Sequence, residues 1–239
     1  MIKIKLKKNK IIKLNTSTGV FIPTQTTHYL LNTIEKNIDK KKKLNFIDMG
    51  CGNGVLGISL LKIFKNINKL VFTDVSKKSL EDCEKNIKIN HLKNRNYELV
   101  ISNVFQKISK QKFDVIINDI SGISEYVAEI SPWFNKVSCK SGKNGTNLTI
   151  NFLKHYKKYL KTKGKVFFPL ISLSNENIIF DYLKKNNIKY KIILEKKWPL
   201  PQSMTKHNKF LKKLRSKKYI NFDEKFGLII ANTKIIYLS

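Results

Sequence analysis

Residues 46–54 read FIDMGCGNG, and residues 71–76 read VFTDVS. Each is an apolar run that closes on an aspartate, Asp48 and Asp74, and the first opens into glycines at positions 50, 52 and 54. Short apolar runs of this kind are the pattern of strands buried on both faces in a parallel sheet. In such a sheet ligands bind beyond the carboxyl ends of the strands, where a strand turns into its helix. Gly50, Gly52 and Gly54 occupy that turn, and glycine lets the backbone take positive φ and approach a ligand with no Cβ between. The spacing G-C-G-N-G is not the G-x-G-x-x-G of dinucleotide sites, although Gly57 lies further along. Alternating glycines suit a flat ligand whose polar end bonds to backbone amides, with Cys51 between them. Asp48 is placed to hold a cationic amine or to order water around it. Asp74, closing the second run, is placed to accept both hydroxyls of a ribose.

Outward from this centre, strands and helices alternate. Strands are expected near 44–49, 69–73, 97–102, 113–118 and 164–171, and helices near 54–66, 77–90, 146–160 and 175–187. This is an α/β chain with a mostly parallel sheet, and strands near 189–196 and 226–237 complete it. Residues 2–14 alternate Ile and Leu with Lys around KKNK, which predicts a β-hairpin turning near Lys8 and Asn9. A helix with an apolar face begins near Tyr29. The chain thus divides into a hairpin and lead-in helix at 1–40 and the sheet domain at 41–239, with a basic insertion near 201–222. The predicted helix residues Ile58, Leu61 and Phe64 recur at helical spacing and are read as core.

Composition narrows the function. Of 239 residues, 47 are Lys or Arg and 17 are Asp or Glu, for a net charge of +30. Such a coat attracts polyanions at low salt, and seven Lys or Arg fall between Lys206 and Lys218. Only two of the 47 are arginine, Arg95 and Arg215, so a nucleotide composition favouring Lys, Asn and Ile codons explains the excess about as well as selection for binding. The three cysteines form no CxxC pair, which points to neither a disulfide framework nor a zinc site and suits a reducing cytoplasm. The basic N-terminus lacks the apolar core of a signal peptide, and no apolar run is long enough to span a bilayer. His28, His91, His155 and His207 are dispersed and are read as structural or surface residues, with no metal site proposed.

The order strand, D-x-G-x-G-x-G, helix, strand and terminal Asp resembles the class I S-adenosylmethionine-dependent methyltransferases. The resemblance implies an α/β, Rossmann-like, seven-stranded mostly parallel sheet of order 3-2-1-4-5-7-6, its seventh strand antiparallel and helices on both faces. It implies that Asp48 and Gly50–Gly54 surround the methionine part of S-adenosylmethionine and that Asp74 and Val75 meet the ribose. ISNVFQ at residues 101–106 matches the third motif, where Asn103, followed by Val104, stands in the place of an acid facing the adenine amine. Residues 19–190 further resemble the methyltransferase-small group, which includes release-factor glutamine methyltransferases and RNA methyltransferases. There the fourth strand ends in N-P-P-Y, whose Asn binds the target amide or amine. This chain reads N-D-I-S, Asn118 to Ser121, and only Asn118 matches.

Asn118 and Asp119 are therefore the candidate acceptor-side residues, Asp119 as base or anchor or, alternatively, as a cap on the helix that follows. Thr24, Thr26 and Thr27 are candidates to close over the cofactor, and Trp133 to wall the acceptor pocket or to pack in the core. The function expected is methyl transfer to RNA or to a translation protein, with Lys206–Lys218 as the partner surface. A small-molecule acceptor, or a cofactor- or RNA-binding module that has lost catalysis, are the alternatives.

Overall fold

A computed structural model describes every residue except Lys8, Ser121 and Asn135. The chain opens with the expected hairpin, β1 (Ile2–Lys5) against β2 (Ile11–Leu14), antiparallel with Ile4 opposite Ile12. Of the two expected turn residues, Lys8 lies outside the described residues, and Asn9 takes a left-handed φ of 55°. Ile4, Ile12 and Leu14 are buried in the same core as Leu30 and Ile34 of α1 (Gln25–Asn37).

The sheet is built from β3 (Leu44–Met49), β4 (Ile67–Asp74), β5 (Tyr97–Ile101), β6 (Phe113–Asn118), β7 (Leu160–Ile171), β8 (Tyr190–Pro199), β9 (Asp223–Lys225) and β10 (Leu228–Leu238). Its order is β5-β4-β3-β6-β7-β10-β8. Counted from β3 and without β9, this is the expected order 3-2-1-4-5-7-6. The pairs from β5 to β7 are parallel, and β10 runs antiparallel between β7 and β8. The expected seven strands become eight because β10 overhangs β7. β7 pairs with Thr233–Leu238, and the free edge of Leu228–Ile230 takes β9.

Helices α2 (Val55–Ile63), α3 (Lys77–Ile89), α4 (Glu125–Ile130), α5 (Asn147–Tyr159), α6 (Glu176–Lys185) and α7 (Asn208–Ser216) fill the connections. Strand alternation divides the core. Phe46, Phe72 and Phe167 pack on one side of the sheet with α1, α2 and the hairpin. Ile47, Met49, Phe113 and Phe168 pack on the other with Phe152 of α5. Each fully buried side chain of this size contributes on the order of 1.5–3 kcal/mol. A third cluster joins Val127 of α4, Leu211 and Leu214 of α7, and Ala231 of β10. The segment expected as a basic insertion is thus a short 3₁₀ turn, Gln202–His207, followed by α7 with its apolar side in the core. Among the described residues no helix is long and apolar enough to cross a membrane.

Both arginines bind backbone. Arg95 closes the carboxyl end of α2, donating to the carbonyls of Leu61 (2.7 Å), Phe64 (2.9 Å) and Lys65 (3.2 Å). Arg215 lies 4.3 Å from the Phe222 ring centre and donates to the Phe222 carbonyl and to Glu224.

Candidate active site

The ends of β3, β4 and β6 meet in a cavity of about 930 Å³. Its floor is the turn after β3. The amides of Gly50 and Cys51 both donate to the Thr73 carbonyl, at 2.8 and 2.9 Å, which ties the turn to β4. The Gly52 amide donates to Asp74 Oδ2 at 3.0 Å, and the Ser76 amide to Asp74 Oδ1 at 2.9 Å. Burial raises the Asp74 pKa, while the amides of Ser76, Gly52 and Val75 hold it down.

The glycines of this turn serve different ends. At Gly50 (φ 72°) an added Cβ would lie 2.9 Å from Ile120 Cα, so this glycine lets the β3 and β6 turns touch. At Gly52 (φ 53°) an added Cβ would meet nothing within 4 Å, and this is where the turn faces open space. Gly54 lies outside the cavity, beneath α2, against Cys83. Cys51 lines the cavity wall, its thiol pKa pushed well up by burial and by the neighbouring Cys83.

The N-terminal segment clamps this turn from outside. Asn86 of α3 donates to the carbonyls of Asn15 and Asn53 and accepts from the Asn15 amide. Asn53 donates to Thr16 Oγ1 at 2.7 Å. Ser17 gives its amide and hydroxyl to Asp82.

Along one wall, exposed Val75 (67% exposed) and Asn103 stand with Val104, which is held at φ 51°. Gly50, Cys51, Gly52, Asp74, Val75, Asn103 and Val104 therefore share the cavity, as their positions in the sequence suggest.

Asp48 and Asn118 do not line the cavity. Asp48 is fully buried and lies on the Phe46 side of β3, under α2, where Oδ2 accepts from the Gly57 amide at 2.9 Å and Oδ1 has no partner among the described residues. It is closed off from solvent and does not line the cavity, where the expectation set it beside a ligand amine or ordered water. Burial pushes its pKa up to about 7, helped by the charge of Asp119 and then of Asp74, against the pull of the Gly57 bond. Asn118 is 2% exposed, and its Oδ1 accepts from the Ile120 amide at 3.2 Å. In N-P-P-Y the residue at that place is a proline, which has no N–H to give. Ile120 has one and gives it to the Asn118 side chain.

Asp119, unlike Asp48, faces the cavity, as Asp74 does. Its amide donates to the Met49 carbonyl, and its Oδ2 accepts from Thr27 Oγ1 at 3.1 Å. It caps no helix, since α4 starts from Ser124. Burial raises the Asp119 pKa to about 7, and the Thr27 bond opposes the rise. Ser121, the last residue of N-D-I-S, lies outside the described residues. Thr24 and Thr26 line the same side of the cavity at the start of α1.

The far wall is aromatic. Trp133 meets Trp198 edge to face, centroids 5.7 Å apart at 77°, and Phe21 meets Phe134 at 5.2 Å and 78°. The Ile22 amide bonds to the Trp133 carbonyl, and Trp198 Nε1 donates to Thr233 Oγ1 at 2.9 Å, fixing both sides of the wall. Trp133 was a sequence candidate. Trp198 was not, because it comes from β8, far along the chain. Its only local signal is an indole set among lysines just before a PLP run.

Known proteins share this fold and part of this sequence. Residues 12–119 match the family model of the methyltransferase small domain. The bifunctional methyltransferase of Rickettsia typhi is 28% identical over 150 residues, covering 59% of this chain and 29% of that protein. Ribosomal RNA small subunit methyltransferase C of Buchnera aphidicola is 29% identical over 175 residues, covering 72% of this chain and 46% of its own. The chain thus spans less than half the length of these relatives. The solved 16S rRNA N2 G1207 methyltransferase of T. thermophilus, in complex with AdoMet and guanosine, overlays with a TM-score of 0.61 at 12% identity. The overlay covers 100% of this chain and 49% of that one. Residues 12–119 are therefore similar to the methyltransferase small domain, and the chain has a fold shared with solved methyltransferases.

Proposed function

We propose that this chain transfers a methyl group from S-adenosylmethionine to a nucleophile carried by an RNA or a protein of translation, in the cytoplasm. The observation that carries the reading is the open space above Gly52, bounded by Asp74 and the exposed Val75 at the ends of parallel strands. The residues there suit the cofactor. Asp74 has lone pairs left beyond its two amide bonds for ribose hydroxyls. Val75 and Val104 offer apolar flanks for a purine, Asn103 offers an amide oxygen to its amine, and the Gly50–Gly52 turn takes the methionine end. S-adenosylmethionine, when bound, supplies an activated methyl on a positively charged sulfur.

The chain's own residues do the rest. The aromatic wall holds a planar acceptor in place and keeps water out. Asp119, steadied by Thr27, takes the proton that the acceptor gives up. Asp48 acts through the turn, by holding the Gly57 amide beneath it. The Buchnera aphidicola relative methylates, by its name, ribosomal RNA, which supports a macromolecular acceptor.

Titration calorimetry with S-adenosylmethionine tests the first half, and absence of binding up to low-millimolar concentration would sink it. Transfer of radiolabelled methyl to a fractionated lysate, followed by nuclease or protease, tests the second. The turned-in Asn118 favours one other reading, a binding module of the same fold without catalysis. Cofactor binding with no labelled acceptor in any fraction would be its signature.

A further inference from the structure

Away from the cavity, α7 and the β9–β10 turn build a second surface. Lys209, Lys213 and Lys217 follow one another at four-residue spacing, a stripe with a step of about 6 Å, flanked by Lys206 and Lys218. All five are exposed, and none makes an ion pair among the described residues. Their neighbours are spoken for: Lys212 and Arg215 both bind Glu224, and Lys197 binds Asp223. Phe210, on the same helix, is 36% exposed and meets Tyr126 edge-on at 6.3 Å.

Two residues beyond Glu224 stands Phe226, fully exposed and at a φ of 50°. Left-handed backbone is uncommon for a bulky side chain, and tight hairpins place Asn, Asp or Gly there. A ring that packs against nothing and strains its own turn has no role in folding this hairpin. Because Glu224 fastens β9 to α7, the turn that carries the ring is tied to the helix that carries the lysine stripe. Free lysines fit phosphates, and an open aromatic face fits an unpaired base. A bilayer is a poorer match, because the apolar side of α7, Leu211 and Leu214, is already buried in the core and leaves little to insert.

We propose that α7 and the β9–β10 turn form a docking surface for single-stranded RNA, with Lys206, Lys209, Lys213, Lys217 and Lys218 on phosphates and Phe226 stacked on a base. This deepens the reading above and rests on its macromolecular acceptor. Binding is measured without S-adenosylmethionine, so its failure and the failure of methyl transfer are read separately.

The test is fluorescence anisotropy of a short labelled oligoadenylate, with inorganic polyphosphate as a base-free polyanion. Phe226→Ala weakens oligoadenylate about fivefold or more and leaves polyphosphate unchanged, and Phe226→Trp restores binding. Phe226→Asn removes the ring but suits the turn, so lost binding with unimpaired thermal unfolding marks lost stacking. Lys209→Gln/Lys213→Gln/Lys217→Gln lowers the logarithmic salt slope by about 2, whereas Lys41→Gln/Lys42→Gln/Lys43→Gln leaves it in place. Unchanged oligoadenylate affinity in both Phe226→Ala and Phe226→Asn overturns the proposal. So does an equal loss of slope in the two lysine triples, or Phe226-dependent binding to phosphatidylserine vesicles without binding to RNA.

Discussion

Replacing Asp48 by Asn should make the protein more stable, and increasingly so as the pH rises. Asp48 sits wholly out of water with one oxygen bonded to Gly57 and the other to none of the described residues. Its pKa moves from 3.8 to about 7 on folding. An acid whose folded pKa is raised binds more protons in the folded state than in the unfolded one between those values. Stability therefore falls as pH climbs from about 4 to about 7, at up to about 1.36 kcal/mol per pH unit. From pH 5 to pH 8 the wild type loses roughly 2–3 kcal/mol through this one group. Asparagine keeps the shape, keeps an acceptor for Gly57, and does not ionise. Urea unfolding of both proteins at pH 5, 6, 7 and 8 gives the comparison. The gap in favour of Asp48→Asn should widen across the series and level off above pH 7. A gap that stays constant from pH 5 to 8 would refute the buried-carboxylate argument.

Asp74→Ala should weaken S-adenosylmethionine binding by about 2–3 kcal/mol through lost charge-assisted bonds, and unchanged affinity by calorimetry would remove Asp74 from the ribose. Gly52→Ala should cost about 1–2 kcal/mol of stability from its positive φ and abolish cofactor binding. Gly50→Ala, which drives a Cβ into Ile120, should unfold first in the same thermal series. Asp119→Asn should leave cofactor affinity nearly intact and reduce turnover. In the wild type, kcat should rise with pH through about 7, as the carboxylate of Asp119 forms. Thr27→Val, by removing the bond that stabilises that carboxylate, should move the midpoint upward, and an unmoved midpoint would show that Asp119 is not the group titrating.

What the sequence made legible follows from burial. β3 and β6 match their expected limits to the residue, because strands covered on both faces read as mostly apolar runs. α7 was hidden because only Leu211 and Leu214 turn inward amid four basic residues. β9, with the sequence DEK, carries no strand pattern and pairs only because β10 projects past β7. α4 is six residues long and starts at a glutamate. At the site, positions that a turn dictates were readable, and so Gly52, Asp74 and Val75 meet in one cavity. The direction of a side chain was harder. The period of two along β3 puts Asp48 on the Phe46 face, away from the turn's mouth. The fate of Asn118 depends on whether the residue two places on has an N–H. Trp198 reaches the cavity from β8, and no local pattern brings distant segments together.

Arg95 and Arg215 bear on how the positive charge of this chain is to be understood. Lysine carries almost all of it, and a lysine ammonium is a mobile point charge. The two guanidiniums stand where a planar fork must reach more than one oxygen at once. One spans three carbonyls at the end of α2, and the other lies over a ring while bonding two acceptors. Changing either to lysine would preserve the net charge of +30 and still leave carbonyls at the end of α2 or beside Phe222 without donors. In this molecule, then, charge is the interchangeable property and the shape of the charged group is not.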